Sequence, residues 1–394
     1  MQTLKSLFLR HIGQTSPEPM MLEVQRAEGC WLYGPAGERW LDLISGVSVS
    51  NAGHSNPHIV DAVRKQASDY MHLMVYGELI QGPQVEYAAL LTSLLPDPLK
   101  VVYFVNSGSE AVEGAIKLAR RYTGRSGIIS FRNGYHGSTM GALSIQGSEV
   151  YKSAFRPLMP DVMLLDFNST DQLSLITELT AAVVIEPVQG EGGVRLPSEG
   201  YLEKLRERCN KTGALLVFDE IQTGFGRIGS LFATTKYGVV PDIILLAKAL
   251  GGGMPLGAFI SSGAVMSTLT NNPALGHITT FGGHPVSCAA GMASLNYLLD
   301  KNLAESATAR GERIKASLDH PMIREIRGEG LFFAVELTDS SLVPRFIRKS
   351  PGNGILVDYF LFCDSAFRIA PPLIITDKEI DYACESIHKT LDSL

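Results

Sequence analysis

DIILLAKALGGGMPLGAFI, Asp242 to Ile260, sets an apolar run against a single lysine. Ile243 to Ala247 reads as a buried strand, short, branched and bounded by a charge and by glycines. Lys248 stands at its end, Gly251 to Gly253 follow, and a second short apolar run closes the stretch. A lysine at a strand end can lie along the surface with its ammonium in water. If it is buried instead, loss of water disfavours the ammonium form, lowers the pKa and leaves a nucleophilic amine. That is the form a Schiff base with a carbonyl compound requires. The rest of the chain decides between the two.

Upstream, strands and helices alternate. Val85 to Leu95 reads as a helix, Val101 to Asn106 as a strand, and Ser107 to Glu110 opens the helix AVEGAIKLARRY. Gly127 to Phe131 and VMLLDF read as strands, Ser169 to Leu179 as a helix, and Ala181 to Val188 as a strand. Gly200 to Thr212 reads as a helix and Ala214 to Ile221 as a strand. This alternation predicts an α/β fold, a mostly parallel sheet with helices on both faces. Before it, Trp31 to Tyr33, Gly34-Pro35-Ala36-Gly37 and Trp40 to Leu43 read as a hairpin, and Asn56-Pro57 starts an amphipathic helix. From Pro285 the pattern changes to long helices, strands near Ile323 to Arg327 and Leu331 to Leu337, and a last helix from Asp377. The expected organisation is an N-terminal segment (1–50), a large cofactor-binding domain (51–284) and a C-terminal part (285–394). The two chain ends are expected to meet in a smaller α+β domain.

The 394 residues and 45% hydrophobic content suffice for a sizeable core in two or three domains. Net charge is −6 with both signs interspersed, which argues against nucleic acid or an anionic membrane as partner. No window reaches the roughly 18 apolar residues of a membrane span. Five scattered cysteines without CxxC spacing read as reduced thiols of a cytoplasmic protein, with no metal site. The apolar stretch near the N-terminus is too short for a signal peptide.

In open parallel sheets ligands bind beyond the carboxyl ends of the strands, and here each such end carries polar residues. Ser107-Gly108-Ser109, between a strand and a helix, offers free N–H groups, two hydroxyls and a helix dipole to a phosphate. Ser107 can equally be an ordinary N-cap. Neither Walker A nor G-x-G-x-x-G is present, so nucleoside triphosphates and dinucleotides are disfavoured. Tyr135-His136-Gly137 puts an aromatic where it can stack on a ring. Asp219 ends an apolar run, where a carboxylate needs a partner. Opposite a pyridine nitrogen it would keep that nitrogen protonated. Glu186 and Glu191, in EPVQGEGG, sit at a further strand end beside glycines that allow close approach. Phosphate cradle, stacking ring, buried aspartate and lysine together fit pyridoxal 5′-phosphate.

NSGSEAVEGAIKLAR, YHG, EPVQGEGG, LLVFDEIQTGFGRIG, PDIILLAKALGGGMPLGA, TTFGGHPVSCAA and FRIAPPL resemble the class III pyridoxal-phosphate aminotransferases, of fold type I, from Trp31 to about Asp377. The resemblance implies a mostly parallel seven-stranded sheet. It implies that Lys248 forms the Schiff base and moves the proton, that Asp219 pairs with the ring nitrogen, and that Tyr135 stacks. Gly108 and Ser109 would bind the phosphate, Gln222 the phenolic oxygen, and Thr280 the phosphate in the neighbouring subunit. Ser107, His136, Glu186 and Ile221 complete the implied cofactor contacts. Arg368 would take the α-carboxylate of glutamate or 2-oxoglutarate, and Glu191 would pair with Arg368 until a dicarboxylate displaces it. A homodimer with shared sites follows from the role of Thr280.

The donor is less defined. Many acetylornithine, ornithine and 4-aminobutyrate relatives carry a cation where this chain has Ser138, and YHGSTMGALS resembles diamine-type members instead. LDLISGVSVSNAG resembles the acetylornithine branch, with Val47 where ornithine enzymes tend to have tyrosine. Arg132 and Arg156 are candidate substitutes for the missing cation. The first expectation is transfer of the terminal amine of an ω-amino acid or diamine to a 2-oxo acid, 2-oxoglutarate. N-acetylornithine or ornithine is the alternative, then an aminomutase or racemase, and last a cofactor-binding protein without turnover.

Overall fold

The structure is a computed structural model that describes residues 3–394; residues 1 and 2 of the N-terminal segment lie outside it. Near the N-terminus, β1 (Arg26–Glu28), β2 (Trp31–Tyr33) and β3 (Arg39–Asp42) form an antiparallel ladder. The hairpin lies where its turn residues predict it, while β1 adds an outer strand that the sequence did not announce. The helix Pro57–Asp69 follows, with Asn56 Oδ1 accepting from His58 N at 3.1 Å.

Seven strands build the main sheet: β4 (Val101–Val105), β5 (Gly127–Phe131), β6 (Val162–Leu165), β7 (Thr180–Ile185), β8 (Leu215–Asp219), β9 (Ile243–Leu246) and β10 (Gly257–Ser261). Their order is β4-β10-β9-β8-β7-β5-β6. All pairings are parallel except those of β10, which runs antiparallel to both its neighbours. This is the mostly parallel seven-stranded sheet that the resemblance implies. Every residue of β7 to β10 is buried, as strands covered on both faces must be.

Alternation along the strands splits the core into two layers. Val184, Val217 and Leu245 meet the helix Gly108–Thr123 through Val112, Ala115 and Ala119. Val183, Ile185, Leu216 and Phe218 meet the helix Tyr201–Thr212 through Leu202 and Leu205. Each such buried side chain contributes roughly 1.5–3 kcal/mol. The helix lies so close to the sheet that a Cβ on Gly114 would come within 2.3 Å of Phe259.

The predicted helix Ser169–Leu179 is absent. Only a 3-10 turn forms, over Asp171–Leu175. Its polar side chains bind the nearby backbone instead: Ser174 Oγ donates to Asp171 O, and Thr177 Oγ1 accepts from Leu179 N. Such local bonds compete with helix formation.

Towards the C-terminus, β11 (Ile323–Glu329), β12 (Phe332–Leu337), β14 (Asp358–Tyr359) and β15 (Ala366–Ile369) form a second antiparallel sheet in the order β11-β12-β15-β14. Between them β13 (Ile355–Leu356) pairs in parallel with β3, joining the C-terminal part to the N-terminal ladder. Arg227 ties these parts to the main sheet. Fully buried, it donates to Leu331 O, Pro371 O, Ser45 Oγ and Asn51 Oδ1. Burial pulls its pKa down to about 9. These bonds fix the C-terminal sheet relative to the strand ends.

Candidate active site

A cavity of about 430 Å³ opens at the carboxyl ends of the parallel strands. Its walls include Ser107, Gly108, Ser109, Tyr135, His136, Glu186, Asp219, Ile221, Gln222 and Lys248. Of the expected cofactor contacts, Thr280 alone is elsewhere, exposed in the loop before the helix Pro285–Asp300. The sequence reading had not singled out the walls formed by Val49, Asn106, Ala247 and Met254. Asn106 could have been found from its place just before Ser107. Val49 and Met254 come from loops whose approach no local pattern announces.

Lys248 begins a 3-10 turn directly after β9, at φ +53°. A non-glycine residue in that region costs of order 1–3 kcal/mol and persists where packing enforces it. Burial pushes the ammonium down to about pKa 8; Glu191 opposes that shift and Arg368 adds to it. Near neutral pH a usable fraction of Lys248 is therefore neutral amine.

Asp219 is the last residue of β8. Its Oδ2 lies 2.7 Å from His136 Nδ1, and its Oδ1 accepts from Ile221 N at 3.1 Å. Burial disfavours the imidazolium of His136, but the hydrogen bond and charge of Asp219, with Glu186 beside it, outweigh that and raise its pKa. Glu186 is pushed up to about 7, chiefly by burial, although it accepts from Tyr135 N and Gly190 N. The three groups form one buried unit in the cavity wall.

At the N-terminus of the helix Gly108–Thr123, Ser107 is an N-cap, its Oγ accepting from Glu110 N at 3.2 Å. The N–H groups of Gly108 and Ser109 belong to the first turn and have no preceding carbonyl to reach. Gly108 must lack a side chain, because a Cβ would stand 2.8 Å from Ile221 Cδ1 and close the cradle. Free N–H groups, a carboxylate, a tyrosine and a lysine lining one cavity fit pyridoxal phosphate.

Glu191 and Arg368 meet at the wall behind Gln222. Arg368 Nη2 lies 2.8 Å from each Glu191 oxygen, and Gln222 Nε2 and Leu361 N each donate to Glu191 at 3.1 Å. Burial works against the carboxylate, but Arg368, then Lys248, hold its pKa low. Gln222 is thus engaged with Glu191 rather than presenting its amide nitrogen to the cavity. Asp358 stands opposite Arg368 in the β14–β15 register, its Oδ1 3.6 Å from Nε. The sequence reading passed over it, since nothing in ILVDYF marks its cross-strand partner ten residues later.

Ser138 lies outside the cavity, 3.2 Å from the Tyr135 hydroxyl. Val47 is half-buried at φ +62°, and Val49, two residues on, reaches the wall. Arg132 pairs with Asp166 at 3.0 Å and Arg156 with Glu149; both are largely exposed and neither lines the cavity.

The profile of the family described as Aminotransferase class-III matches residues 12–391. The acetylornithine aminotransferase of Methanopyrus kandleri is 39% identical over 369 residues, 92% of this chain and 92% of that protein. The ornithine aminotransferase of Toxoplasma gondii, solved with pyridoxal phosphate partially occupying its active site, superimposes with a TM-score of 0.90 at 32% identity, covering 98% of this chain and 93% of that one. An (S)-enantioselective ω-transaminase of Thermomicrobium roseum gives a TM-score of 0.90 at 32% identity, covering 98% and 97%.

Proposed function

Because this chain belongs to the class-III aminotransferases, we propose that it moves the terminal amino group of an ω-amino acid or diamine to 2-oxoglutarate. It is a transaminase that takes an amino donor and a 2-oxo acid and uses pyridoxal phosphate. The observation that carries the donor reading is the closed Glu191–Arg368 pair. With Arg368 engaged, the reacting end of the donor meets no free cation, which suits a CH₂–NH₃⁺ end without a carboxylate. A 2-oxo acid brings a carboxylate that can displace Glu191 and bind the guanidinium as a fork.

Gly108 and Ser109 would hold the cofactor's phosphate, Tyr135 and Ile221 would wall its ring, and Asp219, backed by His136, would keep the ring nitrogen protonated. When bound, pyridoxal phosphate supplies an electron-withdrawing ring that accepts the electron pair released from the donor's C–H bond. Lys248 Nζ would take the proton from the carbon bearing the donor nitrogen and deliver it to the former carbonyl carbon of the cofactor, acting as base and then as acid. Its depressed pKa favours the base form at the start.

A second reading, N-acetylornithine as donor, is favoured by the 39% identity with an acetylornithine aminotransferase. Neither Arg132 nor Arg156 lines the cavity to receive its distal carboxylate, an objection that an ω-amino acid shares and a diamine does not. A panel of putrescine, cadaverine, 4-aminobutyrate, β-alanine, ornithine, acetylornithine and lysine separates the two. Each is mixed with holoenzyme, and bleaching of the visible band is followed in a single half-reaction. Diamines are expected to react about tenfold or more faster than acetylornithine. The reverse order establishes the second reading, and turnover without any 2-oxo acid would point to a mutase or racemase.

The working form is a homodimer in which Thr280 reaches the partner's phosphate. In support, Met71, Leu79, Ile80, Ile278 and Phe281 are exposed, and the His72 ring lies tilted against Phe281 with centroids 4.8 Å apart. Exposed apolar side chains on the segments that carry Thr280 and His72 suit a subunit contact. Ile80→Glu is expected to give monomers that retain cofactor poorly, read by light scattering and by the visible band. A dimeric, fully loaded variant would contradict this. A cytoplasmic location agrees with five buried free thiols. No helix among the described residues is long and apolar enough to cross a membrane.

A further inference from the structure

We propose that Asp358 is a specificity-determining counter-charge for Arg368: a fixed second carboxylate that limits how tightly the arginine holds the acceptor's carboxylate. This rests on the reading that Arg368 binds the 2-oxo acid.

Glu191 and Asp358 differ in how they are attached. Glu191 sits on a loop, and its carboxylate is held by side-chain and N–H donors that can be exchanged. Asp358 sits on β14, directly opposite Arg368 on β15, and the strand pairing keeps it there whatever Glu191 does. Arg368 is fully buried over the ring of Phe360, so it cannot turn away. Its Nε and Nη1 have no hydrogen-bond partner among the described residues, and neither has Asp358 Oδ1. The attraction between the two is therefore one of unshielded charge rather than of a made bond. With Glu191 in place, the guanidinium faces two carboxylates. When a substrate carboxylate takes that place, it again faces two. The incoming anion meets a guanidinium already half compensated, with Asp358 repelling it.

Burial raises the Asp358 pKa to about 6; Arg368 lowers it, Glu191 and Asp42 raise it, and Lys248 lowers it. Asp42 is itself paired with His54. The helix Leu342–Lys349 also packs on β14, but its cations are turned elsewhere: Arg345 to Leu394 O, Arg348 to Glu18 and Lys349 to Ser393 O. As pH falls through about 6, Asp358 becomes neutral while Glu191 stays ionised, so the grip of Arg368 on an anion tightens.

The test is binding of 2-oxoglutarate, by calorimetry, to holoenzyme in its pyridoxal form, where no amine is present for turnover. Wild type is expected to bind more tightly at about pH 5.5 than at about pH 8. Asp358→Asn is expected to bind about tenfold more tightly at about pH 8 and to lose most of that pH dependence. Asp358→Ser serves where the asparagine variant does not fold. Unchanged or weaker binding in a folded variant overturns the proposal. Arg368→Ala separates the two levels. If it abolishes binding while Asp358→Asn is silent, only this inference fails; if it binds normally, the assignment of Arg368 fails and takes this inference with it.

Discussion

Lys248→Ala is expected to lose the visible absorption that pyridoxal phosphate confers and to lose turnover by about 10⁴-fold or more. The expectation follows from placement. Lys248 is the amine that lines the same cavity as the N–H cradle at Gly108 and the carboxylate of Asp219. Its backbone is held at φ +53° and its ammonium is pushed down to about pKa 8. No other lysine lines that wall, so no neighbour can take over the covalent role or the proton transfer. The fold itself should survive, since the side chain makes no hydrogen bond that ties one element to another. Circular dichroism with a spectral titration of added cofactor checks both halves. A variant that keeps the visible band and turns over within tenfold of wild type would remove the basis of the assignment.

Asp219→Asn should be the next most damaging change, slowing the donor half-reaction by about 10²–10³-fold. Asparagine preserves the shape and can still accept from Ile221 N, but it no longer carries the charge that keeps a ring nitrogen protonated. It also removes the main support of the His136 imidazolium. Asp219 and Glu186 hold that pKa up against the effect of burial. In the variant the His136 pKa should fall, so the imidazolium will be lost at a lower pH than in wild type. The half-reaction rate, with the His136 ring signals followed by NMR across pH, reads both effects. A rate within threefold of wild type, with His136 titrating as before, would show that the carboxylate is structural.

The reaction centre was legible in the sequence because its members sit at ends of apolar runs. Asp219 closes β8 and Lys248 follows β9; Ser107 to Ser109 stand where a strand becomes a helix. A buried strand that delivers a charge at its carboxyl end reveals both the element and the site. The failure at Ser169–Leu179 has the opposite cause. Its apolar spacing suggested a helix, but serine and threonine hydroxyls bound the nearby backbone and left a single 3-10 turn. At Val47 the error was of two positions, since a loop with successive positive φ values turns Val49 to the wall.

The sequence by itself determined the fold class, the cofactor and which strand ends carry the residues that line the cavity, because each depends on residues adjacent along the chain. The family resemblance implied the Glu191 partner of Arg368, but only the tertiary structure shows that pair formed and adds Asp358 to it. Glu191 is 177 residues away and reaches Arg368 from a loop after β7. Asp358 is ten residues away in sequence but stands opposite only because β14 and β15 pair in that register. A charge interaction falls off with distance through space, whatever the separation along the chain. Lys248 is therefore found from its place at a strand end, whereas the two carboxylates around the Arg368 guanidinium are brought together by the packing of separate segments.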